Sequence, residues 1–340
     1  MNPTIDVVIP TYKPDAQFRE VLLKLMRQTR PPRQILLINT EKELFDESLL
    51  EGLEAPPRCT SAADRSRDQE NAVRCAAALE TPPQTTISVR HIRKAEFDHG
   101  GTRHMAAQML DGDWILFMTQ DAMPENSHLI ECLLRPFDNP QVCVSYARQL
   151  PRRDCGLLER YTRSFNYPPQ SRIKTAEDLN VLGIKTAFCS NVCAMYRRSA
   201  YEEFGGFERH TIFNEDMIFA GKLIQGGRAV AYCADAEVIH SHNYSGMTQF
   251  HRNFDLGVSQ AEHPEIFSAA SSESEGVRLI QKTAEHLIKK GKPWLLFPLI
   301  WQSGCKYLGY RLGKNYRNLS AKMVRACSLN KDYWDSRDDI

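Results

Sequence analysis

Short apolar runs alternating with amphipathic stretches set the pattern of this chain. Ile5 to Ile9 (IDVVI) is rich in β-branched residues and ends in Pro10, which predicts a buried strand. From Ala16 to Gln28, apolar residues recur at Phe18, Val21, Leu22, Leu25 and Met26. That spacing is the stripe of a helix lying on a core, and Pro31-Pro32 forbids its continuation. Gln34 to Asn39 (QILLIN) predicts a second strand. Strand, helix and strand at this spacing make a βαβ unit, hence a parallel sheet with a right-handed crossover. Thr86 to Ile92 (TISVRHI), Trp114 to Met118 (WILFM) and Val142 to Tyr146 predict further strands, with a helix over Thr102 to Leu110. Glu215 to Gln225 predicts a helix ended by Gly226-Gly227. Ala229 to Tyr232 and Glu237 to His240 predict two short strands, and no internal repeat is visible. The fold class is α/β, with a mixed, mainly parallel sheet flanked by helices.

Three stretches are less regular. Between residues 46 and 85, Leu49, Leu50 and Leu53 suit a helix, Pro56 to Glu70 reads as an exposed excursion, and Asn71 to Leu79 as a short helix. Arg152 to Lys185 is weakly periodic and rich in Arg, Tyr, Pro and Asn, which predicts a loop-rich surface over a site. The tail changes character near Ser272, so residues 1–265 read as the main domain and 272–340 as a basic, aromatic helical extension. It holds a predicted helix over Val277 to Lys290 and then the apolar run Pro293 to Trp301. From His286 to Arg325 there are six Lys, three Arg and no Asp or Glu. Two readings fit: an interfacial helix on anionic lipid, or a helix packed on the main domain with basic solvent faces.

At 340 residues and 42% hydrophobic content, the chain can bury a sizeable core. A net charge of +1 offers nothing to attract nucleic acid in bulk. Ten scattered cysteines without a CxxC pair read as reduced cytosolic thiols. The amino terminus runs directly into a strand, without the pattern of a signal peptide, and no apolar run approaches the ~18 residues of a membrane span. The expected location is cytoplasmic, with peripheral contact to the inner face of the cell membrane open through the tail.

The candidate chemistry sits where apolar runs end. The Trp114 strand runs into Thr119, Gln120 and Asp121. A carboxylate at the carboxyl end of a core strand lies at the rim where open α/β sheets bind ligands, and it suits a hard cation carrying phosphates. The bland alternative is a strand followed by an acidic turn. In FDHGGTRH, Gly100-Gly101 permit a tight turn and close backbone approach, Thr102 suits an N-cap, and Arg103 falls in the first helical turn. A helix amino terminus with a guanidinium is a natural diphosphate contact. In FNEDMI, Glu215 and Asp216 either favour the helix macrodipole or supply a general base. Adjacent helical positions point in different directions, so one of the two faces the site. In VIHSHNYS, His240 and His242 follow a strand and share a side, as a structural pair or as ligands of a manganese-like ion.

Taken in order, VVIPTYKP, FDHGGTR, MTQDAMP, GGFER with FNED, and VIHSHNYS resemble the family 2 inverting glycosyltransferases of GT-A fold, over roughly residues 4 to 260. HGGTR, TQDA, YARQLP and the tail KYLGYRLGKNYRNL with DYW are similar to the bacterial rhamnosyltransferases of that family. The resemblance implies donor binding by Pro10, Thr11, Tyr12, Asn39, Arg103, Gln120 and Asp121. It implies a divalent cation, Mg2+ or Mn2+, on Asp121 and His240 with His242 in reserve. Asp216 matches the catalytic base, with Glu215 beside it. Three departures stand out: Thr119 holds the first place of a motif that usually has two acids, Asn39-Thr40 replace acids that bind the base or ribose, and His104 replaces the usual Asn.

The implied reaction moves a sugar, with L-rhamnose from dTDP-β-L-rhamnose foremost, onto a hydroxyl of a growing surface polysaccharide or lipid-linked glycan. Phe165, Tyr167 and Arg172 are acceptor candidates by their capacity to stack on sugar and pair with phosphate. The alternatives are a UDP-sugar donor, or a degenerate transferase kept as a carbohydrate- or nucleotide-binding protein. A Rossmann dehydrogenase is disfavoured because PTYKPDA, not GxGxxG, follows the first strand.

Overall fold

A computed structural model describes residues 3–53, 85–268 and 272–335. The expected excursion over Pro56 to Glu70 and the short helix over Asn71 to Leu79 lie outside these residues. The first half follows the βαβ logic: β1 (Ile5–Tyr12), α1 (Ala16–Met26), β2 (Gln34–Thr40), β3 (Thr86–Ile92), α2 (His99–Gln108) and β4 (Trp114–Met118). Then come β5 (Met123–Pro124), α3 (Leu129–Leu134), β6 (Val142–Leu150), α4 (Leu157–Asn166), β7 (Arg172–Lys174), α5 (Leu179–Leu182), β8 (Cys193–Arg197) and α6 (Arg198–Glu203). The chain continues with α7 (Glu215–Gln225), β9 (Ala229–Ile239), α8 (Gly246–Glu262), α9 (Pro264–Phe267), α10 (Ser272–Lys289), α11 (Leu296–Lys314) and α12 (Ala321–Cys327).

The described strands form one sheet in the order β3-β2-β1-β4-β8-β6-β9-β5, with β7 on β9. The β3-β2-β1-β4 half is parallel, β8 runs antiparallel to both β4 and β6, and β6 and β9 are parallel again. Strand order reverses beside β1, with β2 on one side and β4 on the other. The carboxyl ends of β1 and β4 therefore open a crevice, as open α/β sheets do at such a point. The central strands are buried on both faces. Val7, Ile9, Leu116 and Met118 pack on one side with α1 and α3, and Val8, Ile115 and Phe117 on the other with α2 and α7.

Several elements differ from the sequence expectation. The helix expected from Thr102 begins three residues earlier, because Asp98 is its N-cap. Thr102 is the reciprocal half of that cap, its hydroxyl accepting the Asp98 N–H at 3.0 Å. Gly100-Gly101 thus lie in the first turn rather than in a separate tight turn, and Arg103 falls one turn in. Close approach is nonetheless what Gly100 provides, since a Cβ there would overlap the Glu208 carbonyl. The loop-rich 152–185 stretch contains α4. The two short strands expected at 229–240 are one, β9. Its register slips between Ala147/Cys233 and Arg148/Glu237, so residues 234–236 bulge and break the apolar run. Strand β8 and helices α6 and α8 are further elements outside the sequence expectation.

The 272–335 segment packs against the rest through α8. Gly257 of α8 meets the backbone of Tyr310 and Gly313, while Gly309 and Gly313 of α11 meet the backbone of Phe250 and Phe254. Beyond α11, Tyr333 and Trp334 bury against Ile212, Phe254 and Val258. No helix among the described residues is long and apolar enough to cross a membrane.

Candidate active site

Strand ends β4, β6 and β9 and the start of α7 enclose a cleft of about 350 Å³. Its walls include Arg103, Thr119, Asp121, Gln149, Asn191, Glu215, Asp216, His240 and His242.

On one wall, Asp121 follows β4 and His240 follows β9. The Asp121 Oδ2 lies 3.4 Å from His240 Nε2 and 3.0 Å from His242 Nε2. The ligand atoms of the three residues all lie within 4.8 Å of one another, close enough to share one ion. One carboxylate and two imidazoles form a mixed O/N set that suits Mn2+ better than Ca2+ or Mg2+. Gln149 Oε1 pairs with His240 Nδ1 at 3.1 Å and leaves Nε2 facing Asp121. Burial lowers the His240 imidazole below its ordinary range despite the neighbouring Asp121 carboxylate, which favours the neutral, coordinating form. Burial opposes ionisation of Asp121 too, yet the His240 and His242 rings beside it hold its carboxyl far below the usual range.

On the opposite wall, Asn214 takes a left-handed conformation (φ 65°) and starts α7. Asn tolerates that region better than most residues. Glu215 and Asp216 then occupy the first turn and both reach Asn191, one through its side chain and the other through its backbone. Glu215 turns inward: its Oε1 lies 3.2 Å from Arg103 and accepts the Asn191 amide at 3.0 Å. Burial opposes its charge, but Arg103 and His99 hold its carboxyl below the ordinary value. Asp216 keeps partial access to the cleft. Its two oxygens accept backbone N–H groups of Asn191 and Met217, each at 2.8 Å. Burial, with the Glu215 charge beside it, pushes its carboxyl up to about 7. A carboxylate poised there can take a proton near neutral pH.

The other sequence candidates fall in different places. Tyr12 and Gln120 clamp the ends of β1 and β4, with the Tyr12 N–H donating to Gln120 Oε1 at 2.8 Å and Gln120 Nε2 to the Tyr12 carbonyl at 3.1 Å. Thr11 donates to Asn39 at 3.2 Å. With Pro10 these residues form the rim of the crevice next to Thr119 and Asp121, outside the cleft itself. Arg103 lines the cleft but is buried and paired with Glu215, so it sits behind the carboxylate pair rather than on a free anion-binding surface. Tyr167 lines the cleft, with its hydroxyl 2.6 Å from Gln149 Nε2. Phe165 and Arg172 do not line it: Phe165 packs under the Lys185 ammonium at 4.3 Å, and Arg172 pairs with Asp178 at 2.8 Å. Both offer only the chemistry of any surface aromatic or Arg.

Sequence reasoning missed Gln149, Asn191, Arg163, Tyr244 and Arg252. Arg163 pairs with Glu159 at 2.6 Å and also donates to Gln149. Arg252 lies over Tyr244 at 4.9 Å and Phe213 at 5.3 Å. Gln149 lies within YARQLP and Tyr244 within VIHSHNYS, whereas Asn191, Arg163 and Arg252 enter through pairings made by distant strands and helices.

The family model described as Glycosyl transferase family 2 matches residues 62–205. The O-antigen chain rhamnosyltransferase RfbN of Salmonella typhimurium is 37% identical over 336 residues, covering 98% of this chain and 96% of that protein. WbaN of Salmonella anatum, of the same description, is 35% identical over 339 residues, with 98% and 96% covered. Among solved structures, the mannosyltransferase PcManGT from Pyrobaculum calidifontis, in complex with GDP-Man and Mn2+, aligns with a TM-score of 0.50 at 15% identity over 98% of this chain and 86% of its own. At that identity the likeness is one of fold, and the fold is GT-A.

Proposed function

The chain belongs to glycosyl transferase family 2 and is a glycosyltransferase, and from that premise we propose that it transfers L-rhamnose from dTDP-β-L-rhamnose to a hydroxyl of a growing O-antigen-type glycan, with inversion. The observation that carries the donor and acceptor class is the end-to-end identity with two O-antigen chain rhamnosyltransferases, tail included.

Asp216 is the base in this reading. Its carboxylate, held by two backbone N–H groups, accepts the hydrogen bond of the acceptor hydroxyl and takes its proton as the oxygen attacks the anomeric carbon. The bond to the diphosphate breaks on the opposite face, its electron pair leaves with the diphosphate, and a β-linked donor gives an α-linked rhamnoside. Asp121, His240 and His242 would hold a divalent cation, which when bound offsets the charge growing on the leaving diphosphate. Gln149 orients His240 for that role. Glu215 keeps Arg103 buried beside the base and raises the affinity of Asp216 for a proton. The rim of Pro10, Thr11, Tyr12, Asn39 and Gln120 faces the nucleotide.

The test is release of nucleoside diphosphate by the purified chain from dTDP-β-L-rhamnose and from a set of UDP- and GDP-sugars, with and without an O-antigen oligosaccharide acceptor. Acceptor-dependent release from dTDP-rhamnose alone is expected. Release from a UDP-sugar instead overturns the donor assignment, and binding without release from any donor overturns catalysis.

A further inference from the structure

The outward face of α11 is apolar at positions where a helix of a globular domain is normally polar. Trp294, just before the helix, is 66% exposed; Phe297 is 80%, Ile300 67%, Trp301 59% and Leu308 54% exposed. Trp294, Phe297, Ile300 and Leu308 line one stripe away from the glycines that seat α11 on α8, and Trp301 lies at its edge against the start of α8. Ile288, at the end of α10, adds to the same corner at 60% exposure. Isolated exposed apolar residues need no explanation, but a continuous aromatic stripe marks a contact surface.

Charge identifies the partner. Lys289, Lys290 and Lys292 are exposed in the turn that leads into this stripe, and from His286 to Arg325 the chain has no carboxylate side chain. At its Trp294 end the stripe adjoins these three lysines, while Glu273 meets α11 in an ion pair with Arg311 at 3.1 Å. Trp, Phe and Ile beside a cluster of exposed lysines suit the acyl and headgroup boundary of an anionic bilayer, where indole rings and lysine stems are accommodated. We infer that the α10–α11 corner is a membrane-docking surface for anionic phospholipid.

Its place in the fold links it to the cleft. Trp301 packs against Gly246, four residues beyond His242, so closely that a Cβ on Gly246 would collide with the indole. His286 of α10 lies 4.5 Å, ring to ring, from Tyr161 of α4, the helix that brings Arg163 into the cleft. A chain resting on this corner holds the cleft at the bilayer surface, where an acceptor carried on a lipid is presented. That last consequence rests on the transferase reading; the docking surface does not.

The test is flotation of the full chain, without donor or acceptor, with vesicles of phosphatidylcholine alone or of phosphatidylcholine with phosphatidylglycerol. Binding only to the anionic vesicles, weakened by salt, is expected. Trp294→Ser/Phe297→Ser/Ile300→Ser should weaken it at least tenfold, as should Lys289→Glu/Lys290→Glu/Lys292→Glu. Both variants should melt at the wild-type temperature and release nucleotide at the wild-type rate with a water-soluble acceptor. No binding to anionic vesicles, or equal binding by both variants, overturns the proposal. So does a wild-type dimer that the aromatic variant converts to a monomer while vesicle binding is unchanged, because the stripe is then a contact between copies of this chain. Loss of transfer activity with vesicle binding intact would instead count against the reaction assigned to the cleft.

Discussion

Glu215 and Asp216 are neighbours in sequence and opposites in electrostatics. The first has Arg103 and the Asn191 amide to stabilise its charge; the second has the first as a like charge and only backbone donors in compensation. Two consequences can be measured. Asp216→Asn should leave the melting temperature and nucleotide affinity near wild type while turnover falls by about 10²–10⁴-fold, the usual share of a general base. A variant that turns over normally excludes Asp216 as the base. The wild-type rate should rise with pH as the Asp216 carboxyl, poised at about 7, loses its proton. Glu215→Gln removes the like charge and frees Arg103, so the Asp216 carboxyl ionises more easily and the acid limb of the pH profile moves to lower pH. The same change strands a buried guanidinium, and unfolding in urea should show a loss of about 3–5 kcal/mol. An acid limb that stays in place would show that the two carboxylates do not interact.

At the level of elements, the sequence was legible where a run was short, apolar and bounded. Trp114–Met118, Thr86–Ile92 and Glu215–Gln225 have the limits their patterns predict. The pattern failed where pairing partners, not periodicity, define the element. Strand β9 is continuous through a bulge because β6 continues beside it. Helix α4 carries Leu157, Leu158, Tyr161 and Phe165 at helical spacing, but it is only ten residues long and its charged neighbours mask the stripe. The site divides the same way. Asp121, Asp216, His240 and His242 end or begin strong elements and stand in motifs; Gln149, although inside YARQLP, meets His240 only through the pairing of β6 with β9, and Asn191 enters from a loop that only the folded chain brings near. Helix α8 does carry Phe250, Phe254, Val258 and Ala261 at helical spacing, but Gly246, Gly257 and the polar residues between them dilute the stripe. Gly309 and Gly313 let α11 lie on the carbonyls of Phe250 and Phe254. Gly313→Val should therefore force the helices apart and cost about 1–3 kcal/mol or more, read as a lower urea midpoint. The same change at Gly304, where a Cβ meets nothing within 4 Å, should cost much less and act mainly through helix propensity. Equal losses at the two positions would mean that the crossing is not tightly packed.

At the scale of the molecule, the cleft joins parts remote in sequence, so its ligands should stabilise the whole chain. The wall with Asp121, His240 and His242 comes from the ends of β4 and β9, the proposed base from α7, and the α7 approach is braced by the carboxyl-terminal residues. Tyr333 donates to the His210 carbonyl at 3.2 Å, and Asp255 of α8 accepts from Ser328 at 2.7 Å and from the Leu329 and Asn330 N–H groups at 3.1 and 3.2 Å. A ligand that binds only the folded state at one hundred times its dissociation constant adds about 2.7 kcal/mol, a rise of a few degrees in melting temperature. With dTDP, that rise should be larger when Mn2+ is present, because the cation joins the diphosphate to Asp121, His240 and His242. Asp121→Asn should abolish the Mn2+ increment and keep the part due to nucleotide alone, which in the proposed reading comes from the rim of β1 and β2. Asp216→Asn, on the other wall, should keep both. A Mn2+ increment that survives Asp121→Asn would place the cation elsewhere, and an equal increment with UDP would remove the preference for the thymidine nucleotide while leaving the divalent site intact.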